Sequence, residues 1–125
     1  MSVNESTQFD LTTLAFVADY FKVFSESSRL HIVHCLQSGP MNVMELTAAT
    51  GLGQANLSKH LKVLTHAGIL SRQTKGTSAY YEIIDPSVFD FCELACHRIG
   101  DRLQQQAESF RNLRTAELNP TLKKE

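Results

Sequence analysis

Tryptophan is absent from the 125 residues, and proline and cysteine occur three times each. Each scarcity excludes something. Cys35, Cys92 and Cys96 are odd in number and form no Cys-x-x-Cys pair, which argues against a disulfide scaffold and fits a reducing compartment. No apolar run approaches the length of a membrane span, and the first residues lack the apolar core of a secretory signal, so a cytoplasmic protein without a membrane partner is expected. There is no Gly-rich phosphate loop, no nucleophile with a base at helical spacing and no carboxylate pair near a plausible cleft, so no enzyme is expected. Cys96 and His97 are no catalytic pair, because adjacent helix positions point apart. Charge of either sign is also in short supply: the formal net charge is −1, which does not advertise a nucleic-acid binder.

The distribution of charge says more than its sum. Residues 1–28 hold four acidic side chains and one basic one, whereas residues 42–84 hold Lys59, Lys62, Arg72 and Lys75 against Glu45 and Glu82. A locally positive face on a near-neutral protein follows. That basic stretch is also the one around which the chain is organised, and it reads as a winged helix-turn-helix. Asn42 is placed to cap a helix and Glu45, three residues on, to reach back to the capping residue's N–H, with Met41 and Leu46 where a hydrophobic staple would close. The short helix carries Leu46, Ala49 and Thr50 to Gly51-Leu52-Gly53, whose two glycines supply a tight turn. From Gln54 to Leu64 the residues Leu57, Leu61 and Leu64 fall at i, i+4, i+7 and make one buried stripe, leaving Gln54, Asn56, Ser58, Lys59 and Lys62 on the other side. Gly68 ends this helix as a left-handed cap. Residues 69–73 and 78–83 then read as strands around Thr74-Lys75-Gly76-Thr77, the wing.

In this stretch the chain resembles the ArsR/SmtB-type winged-helix transcriptional repressors. The resemblance rests on Arg29-Leu30 and Ile32, on Glu45-Leu46, on Gln54 through Leu64, on Ala67-Gly68-Ile69-Leu70 and on the pattern Arg72, Gly76, Tyr81-Glu82-Ile83. It covers roughly residues 10 to 100, and Leu57-Ser58-Lys59-His60-Leu61 with Leu64 and Ala67-Gly68 is its most specific part. Gly53 departs from it, standing where such proteins often have a Ser cap. The resemblance implies a DNA-binding homodimer that represses transcription.

The flanks read as helices. Asp10 caps a first helix through about Phe24, on which Leu11, Leu14, Ala18 and Phe21 step by 3, 4 and 3, with Ala15, Val17 and Phe24 widening the apolar face. Ser25 to Ser28 caps a second, with Leu30, Ile32, Val33 and Leu36 buried and Gly39-Pro40 as the stop. Asp85-Pro86 opens the last helix. Phe89, Cys92, Cys96, Ile99, Leu103, Gln106, Phe110 and Leu113 form an unbroken heptad seam over about 36 Å. The seam stays in phase across Gly100, whose cost against Ala is about 1 kcal/mol, so one helix is expected to about Glu117. A seam that long exceeds what the small motif can cover, so the first and last helices are expected to pack on their copies in a second subunit. The fold class is therefore mainly α with a small β-hairpin: one domain over residues 10–118, with residues 1–9 and 119–125 disordered.

The candidate DNA-binding residues are Gln54, Ala55, Asn56, Ser58, Lys59, Lys62, Lys75 and Thr77. Two recognition helices related by a two-fold axis would enter successive major grooves about 34–36 Å apart and read an inverted repeat in double-stranded DNA. Gln54 and Asn56 can pair two-fold with an adenine edge. Ser58, Lys59, Lys62 and the N–H groups near Gly53 suit phosphates, and Lys75 and Thr77 suit a neighbouring groove or backbone. His60 adjoins the buried stripe and is open between a structural role and a phosphate contact. The signal that would release DNA is less legible. The thiol motif that such repressors often carry in the first motif helix is replaced by Asn42-Val43-Met44-Glu45-Leu46. The pattern others carry in the last helix is replaced by Asp90-Phe91-Cys92, with Leu103 and Gln106 at its later positions. Cys92 and Cys96, one turn apart, could meet their copies across a dimer seam, and His31, His34 and Cys35 stand at i, i+3, i+4. In persulfide- and peroxide-sensing relatives a Cys of the second helix pairs with one of the last; Cys35 lies one position later, a turn of about 100°. A redox role for Cys35 with Cys92 or Cys96, a soft-metal or metalloid site on Cys92 and Cys96, and plain packing of small apolar side chains all stay open. The alternative function is an effector-independent winged helix that binds DNA architecturally or docks proteins.

Overall fold

Short-range signals set most of the helix ends. The computed structural model describes residues 9–118. Helix α1 (Leu11–Val23) starts at Asp10, whose carboxylate accepts the Thr13 N–H at 2.8 Å; that bond holds the Asp10 carboxyl below its usual range. Helix α2 (Ser27–Cys35) starts at Glu26, with no side-chain cap, so the serines flanking it do not play the part their composition suggests. A 3-10 turn (Leu36–Ser38) follows, and Gly39 closes it.

Strand β1 is only Met41–Asn42. Asn42 then caps helix α3 (Val43–Thr50) by the reciprocal pair expected: its Oδ1 accepts the Glu45 N–H at 2.8 Å, and its own N–H donates to Glu45 Oε1 at 2.9 Å. Gly51, at φ 75°, ends α3 in the left-handed region. Gly53 sits at φ −65°, which any residue adopts, so one glycine rather than two makes the turn. Helix α4 (Gln54–His66) ends in a Schellman arrangement. The Ile69 N–H reaches the Leu64 carbonyl and the Gly68 N–H reaches that of Thr65, with Gly68 at φ 81°.

Strands β2 (Leu70–Lys75) and β3 (Ser78–Ile83) pair antiparallel from Leu70 opposite Ile83 to Lys75 opposite Ser78. Thr74 and Lys75 therefore belong to the ladder, and the connection is the two residues Gly76 and Thr77, shorter than the sequence suggests. β1 adds to the other side of β3, with Met41 opposite Tyr81 and Asn42 opposite Tyr80, giving the order β1-β3-β2. Helix α5 (Ser87–Leu118) runs unbroken through Gly100 and starts one residue later than Asp85-Pro86 implies. The expected disorder of residues 1–8 and 119–125 lies outside the described residues.

The chain divides after Pro86 into two compact units. In the first, Ile32, Val33 and Leu36 meet Leu46, the α4 stripe, and Ile69 and Leu70, all nearly or wholly inaccessible. α2, α3 and α4 pack on one another, and α4 packs on β2. α1 differs, since Leu11, Leu14, Phe16 and Phe21 remain exposed. It is tied to its own unit by Tyr20, whose hydroxyl donates to Asp85 Oδ2 at 3.0 Å and whose ring meets Phe24 edge-on at 5.2 Å. Burial and that carboxylate push the Tyr20 hydroxyl up from its usual pKa. The second unit is α5, along which Ile99, Leu103, Phe110 and Leu113 are 56–69% exposed.

Candidate nucleic-acid interface

The interface is built on α4. Leu57, Leu61 and Leu64 are at most 1% exposed, so they fix the rotation of the helix about its axis. Gln54, Ala55, Asn56, Ser58, Lys59 and Lys62 are exposed, Ala55, Lys59 and Lys62 opposite the leucine stripe and Gln54 at the open first turn. No side chain caps the first turn of α4, where Gly53 is the capping residue, so its leading N–H groups are presented toward an outside acceptor. Lys75 and Thr77 are exposed at the wing tip, and the Lys75 ammonium lies 5.6 Å above the Tyr80 ring, a contact that limits where it points.

Two features were not legible from spacing. Ser58 and Lys62 share an open cleft with Thr65, His66, Arg72 and Tyr81, so Arg72, placed by β2, adds a guanidinium beside the expected Lys62. The signal available for it was Arg72 standing directly after the first wing residues, but only the α4–β2 packing brings it to Lys62. The second is His60. It is 3% exposed and faces inward, where its Nδ1 lies 3.3 Å from Arg29 Nη1. Its place is thus structural rather than on a phosphate. Arg29 Nε donates to the Val23 carbonyl at 2.6 Å and Nη2 to that of Lys22 at 3.0 Å. Burial first, then Arg29 and Lys59, depress the His60 pKa against a smaller opposing pull from Glu26.

The thiols are placed separately. Cys35 is half-buried at the end of α2; Cys92 is half-buried and Cys96 exposed one turn apart on α5, and all three are free. Burial, with Cys96 beside it, pushes the Cys92 thiol up, which keeps it protonated at neutral pH. His34 Nδ1 is engaged with the Leu30 carbonyl at 2.8 Å. Among the described residues no three His, Cys, Asp or Glu side chains converge as a metal site would need, and no described helix is long and apolar enough to cross a membrane.

A helix pair joined by a short turn, the second helix presenting a polar face, followed by a two-stranded wing, defines a winged helix-turn-helix of the kind found in transcriptional regulators. The family model for bacterial regulatory proteins of the arsR family matches residues 26–72. The chain is 30% identical to the HTH-type transcriptional regulator NmtR of Mycobacterium tuberculosis, over 74% of this chain and 77% of that one. It is 39% identical to the arsenical resistance operon repressor of Bacillus subtilis over 54% of this chain, a match that spans 66% of that repressor. Among solved structures it resembles the antimony-specific transcriptional repressor AntR, with TM-score 0.64 and 32% identity over 83% of this chain and 98% of the other. It also resembles a homodimeric winged helix-turn-helix DNA-binding domain from Mycobacterium bovis, with TM-score 0.63 and 26% identity over 79% and 94%. The chain belongs to the ArsR family of winged helix-turn-helix, DNA-binding transcriptional regulators, which are not enzymes.

Proposed function

We propose that this protein is a homodimeric repressor that reads an inverted repeat through α4 and the wing and releases it on a thiol-linked signal. The observation that carries the first part is the α4 geometry: a buried leucine stripe holds the helix while Gln54, Asn56, Ser58 and Lys59 face outward, together with an uncapped first turn. Gln54 and Asn56 read base edges, with Ala55 between them. Ser58, Lys59 and Lys62 hold phosphates, joined by Arg72 in the cleft, and Lys75 and Thr77 reach the flanking groove.

A dimer supplies the second half-site. The exposed apolar residues of α1, and separately those of α5, are the support for it, since each helix carries more uncovered apolar side chain than a solvated surface needs. The solved M. bovis relative is itself homodimeric. For the signal, Cys92 and Cys96 are the leading pair: they stand one turn apart, and the arsenical repressor and AntR make a soft metalloid a reasonable occupant. An oxidant or reactive sulfur species acting on these thiols and Cys35 is the other form of the same reading. Residues 10–118 would form the working domain, in the cytoplasm.

Selection of duplexes from a random pool, followed by titration at two salt concentrations, tests the DNA reading. A two-fold symmetric site and a dimer in sedimentation are expected; equal preference for all duplexes, or a lone subunit, overturns it. Adding trivalent arsenic or antimony, zinc or an oxidant to the complex tests the signal. Release that survives replacement of all three cysteines removes the thiols from it.

A further inference from the structure

Arg29 stands at a junction of three elements. At the end of α1 the last carbonyls have no partner further along the helix. The Ser25 hydroxyl donates to that of Lys22 at 2.8 Å, and Arg29 spans both Lys22 and Val23 through two of its nitrogens. A cation is favourable there, at the negative end of the helix dipole. Its third nitrogen meets the ring of His60, which is buried midway along α4, one turn beyond the exposed Asn56 and next to the exposed Lys59. A planar guanidinium offers a separate nitrogen to each of the three acceptors, whereas an ammonium has only one nitrogen to share among them.

We infer that Arg29, bridging the last carbonyls of α1 and the ring of His60, is the positioning residue that holds the recognition helix in register for DNA. The inference rests on the DNA reading above. The ring has one way to take part. With Arg29 donating only, Nδ1 must accept, which leaves the proton on Nε2 of a neutral imidazole. The charged groups acting on the ring are Arg29 of α2, Glu26 just before that helix, and the ring's neighbour Lys59 on α4, two cations against one anion. A protonated ring would carry a donor toward Arg29 and a like charge beside it. The bridge therefore opens in acid, and α4 loses its tie to α1. The sign for folding agrees: a depressed native pKa means stability is complete above the ordinary value of 6.5 and declines as pH falls below it.

The test compares His60→Asn, His60→Leu and Arg29→Lys with the unaltered protein. Asn places an acceptor near the position of Nδ1 and does not titrate; Leu fills the space without an acceptor. On the selected operator duplex between pH 5.5 and 8, the unaltered protein is expected to lose affinity toward the acid end of that range, whereas H60N stays within about threefold and loses the acid limb. H60L and R29K are expected to bind roughly tenfold or more weakly at pH 7.5, a factor corresponding to about 1.4 kcal/mol. Urea unfolding establishes that each variant is folded, and R29K serves if H60L is not. Ring NMR of His60 should report the Nε2–H tautomer and a pKa that moves when Arg29 becomes Lys. Wild-type affinity in folded H60L or R29K, or an acid limb that persists in H60N, overturns the inference. If the ring titration follows Arg29 while no duplex is preferred, the bridge stands and the DNA reading, with the positioning role built on it, falls.

Discussion

Helices α4 and α5 carry apolar side chains at the same kind of spacing and end in opposite circumstances. In α4, Leu57, Leu61 and Leu64 are at most 1% exposed, enclosed by α2, α3 and β2 of the same chain. In α5, Ile99, Leu103, Phe110 and Leu113 are more than half exposed. Periodicity announces that a face needs covering, not who covers it. The stripe of α4 is short and of width suited to one small core, while the seam of α5 continues for several heptads, which is the signature of a partner helix. On the dimeric reading proposed above, the contrast separates two kinds of free energy: one holds the subunit folded, the other would hold subunits together.

That separation can be broken by substitution. Leu61→Ala should cost about 2–5 kcal/mol in urea unfolding, the cost of a cavity in an enclosed core, and should weaken DNA binding only through loss of folded protein. Leu103→Glu should do the reverse. Unfolding of the first unit should barely change, while association weakens by roughly 1.5–3 kcal/mol per subunit from lost leucine burial alone. Sedimentation should then show single subunits, and operator affinity should fall with them. An unchanged dimer would place the interface elsewhere. The smallest effect belongs to the outward side of α4: Lys59→Ala should leave folding and association untouched and lower the salt dependence of DNA affinity by about one unit, equally on operator and random duplex. An unchanged slope would remove Lys59 from the phosphate contacts.

What the sequence makes legible follows the range of the interaction. The Asn42–Glu45 capping box spans three residues and the Gly68 cap spans five, so both are visible in the chain itself. The outward residues of α4 are legible for a related reason, because the leucines that define the inward side lie among them. β1 is not, because two residues have no pattern and their partners Tyr80 and Tyr81 lie far along the chain. Arg29 is likewise visible only as a point of family likeness: its three acceptors sit on α1 and α4, and no spacing links residues 22, 29 and 60. His60 is ambiguous in the sequence because it borders the stripe, and it is packing that turns it inward. The thiols are visible in the sequence as residues, but their chemistry is set by what faces them, which spacing does not record.

Asn42 serves two structures at once, pairing with Tyr80 of the wing and capping α3 of the helix pair. The hairpin is thereby riveted to the reading head instead of hanging from its own two ends. On the DNA reading proposed above, such a construction would act as a rigid caliper: the span between the groove entered by one jaw and the backbone touched by the other would be built in before any duplex arrives, so a site with the right letters at the wrong pitch would be refused.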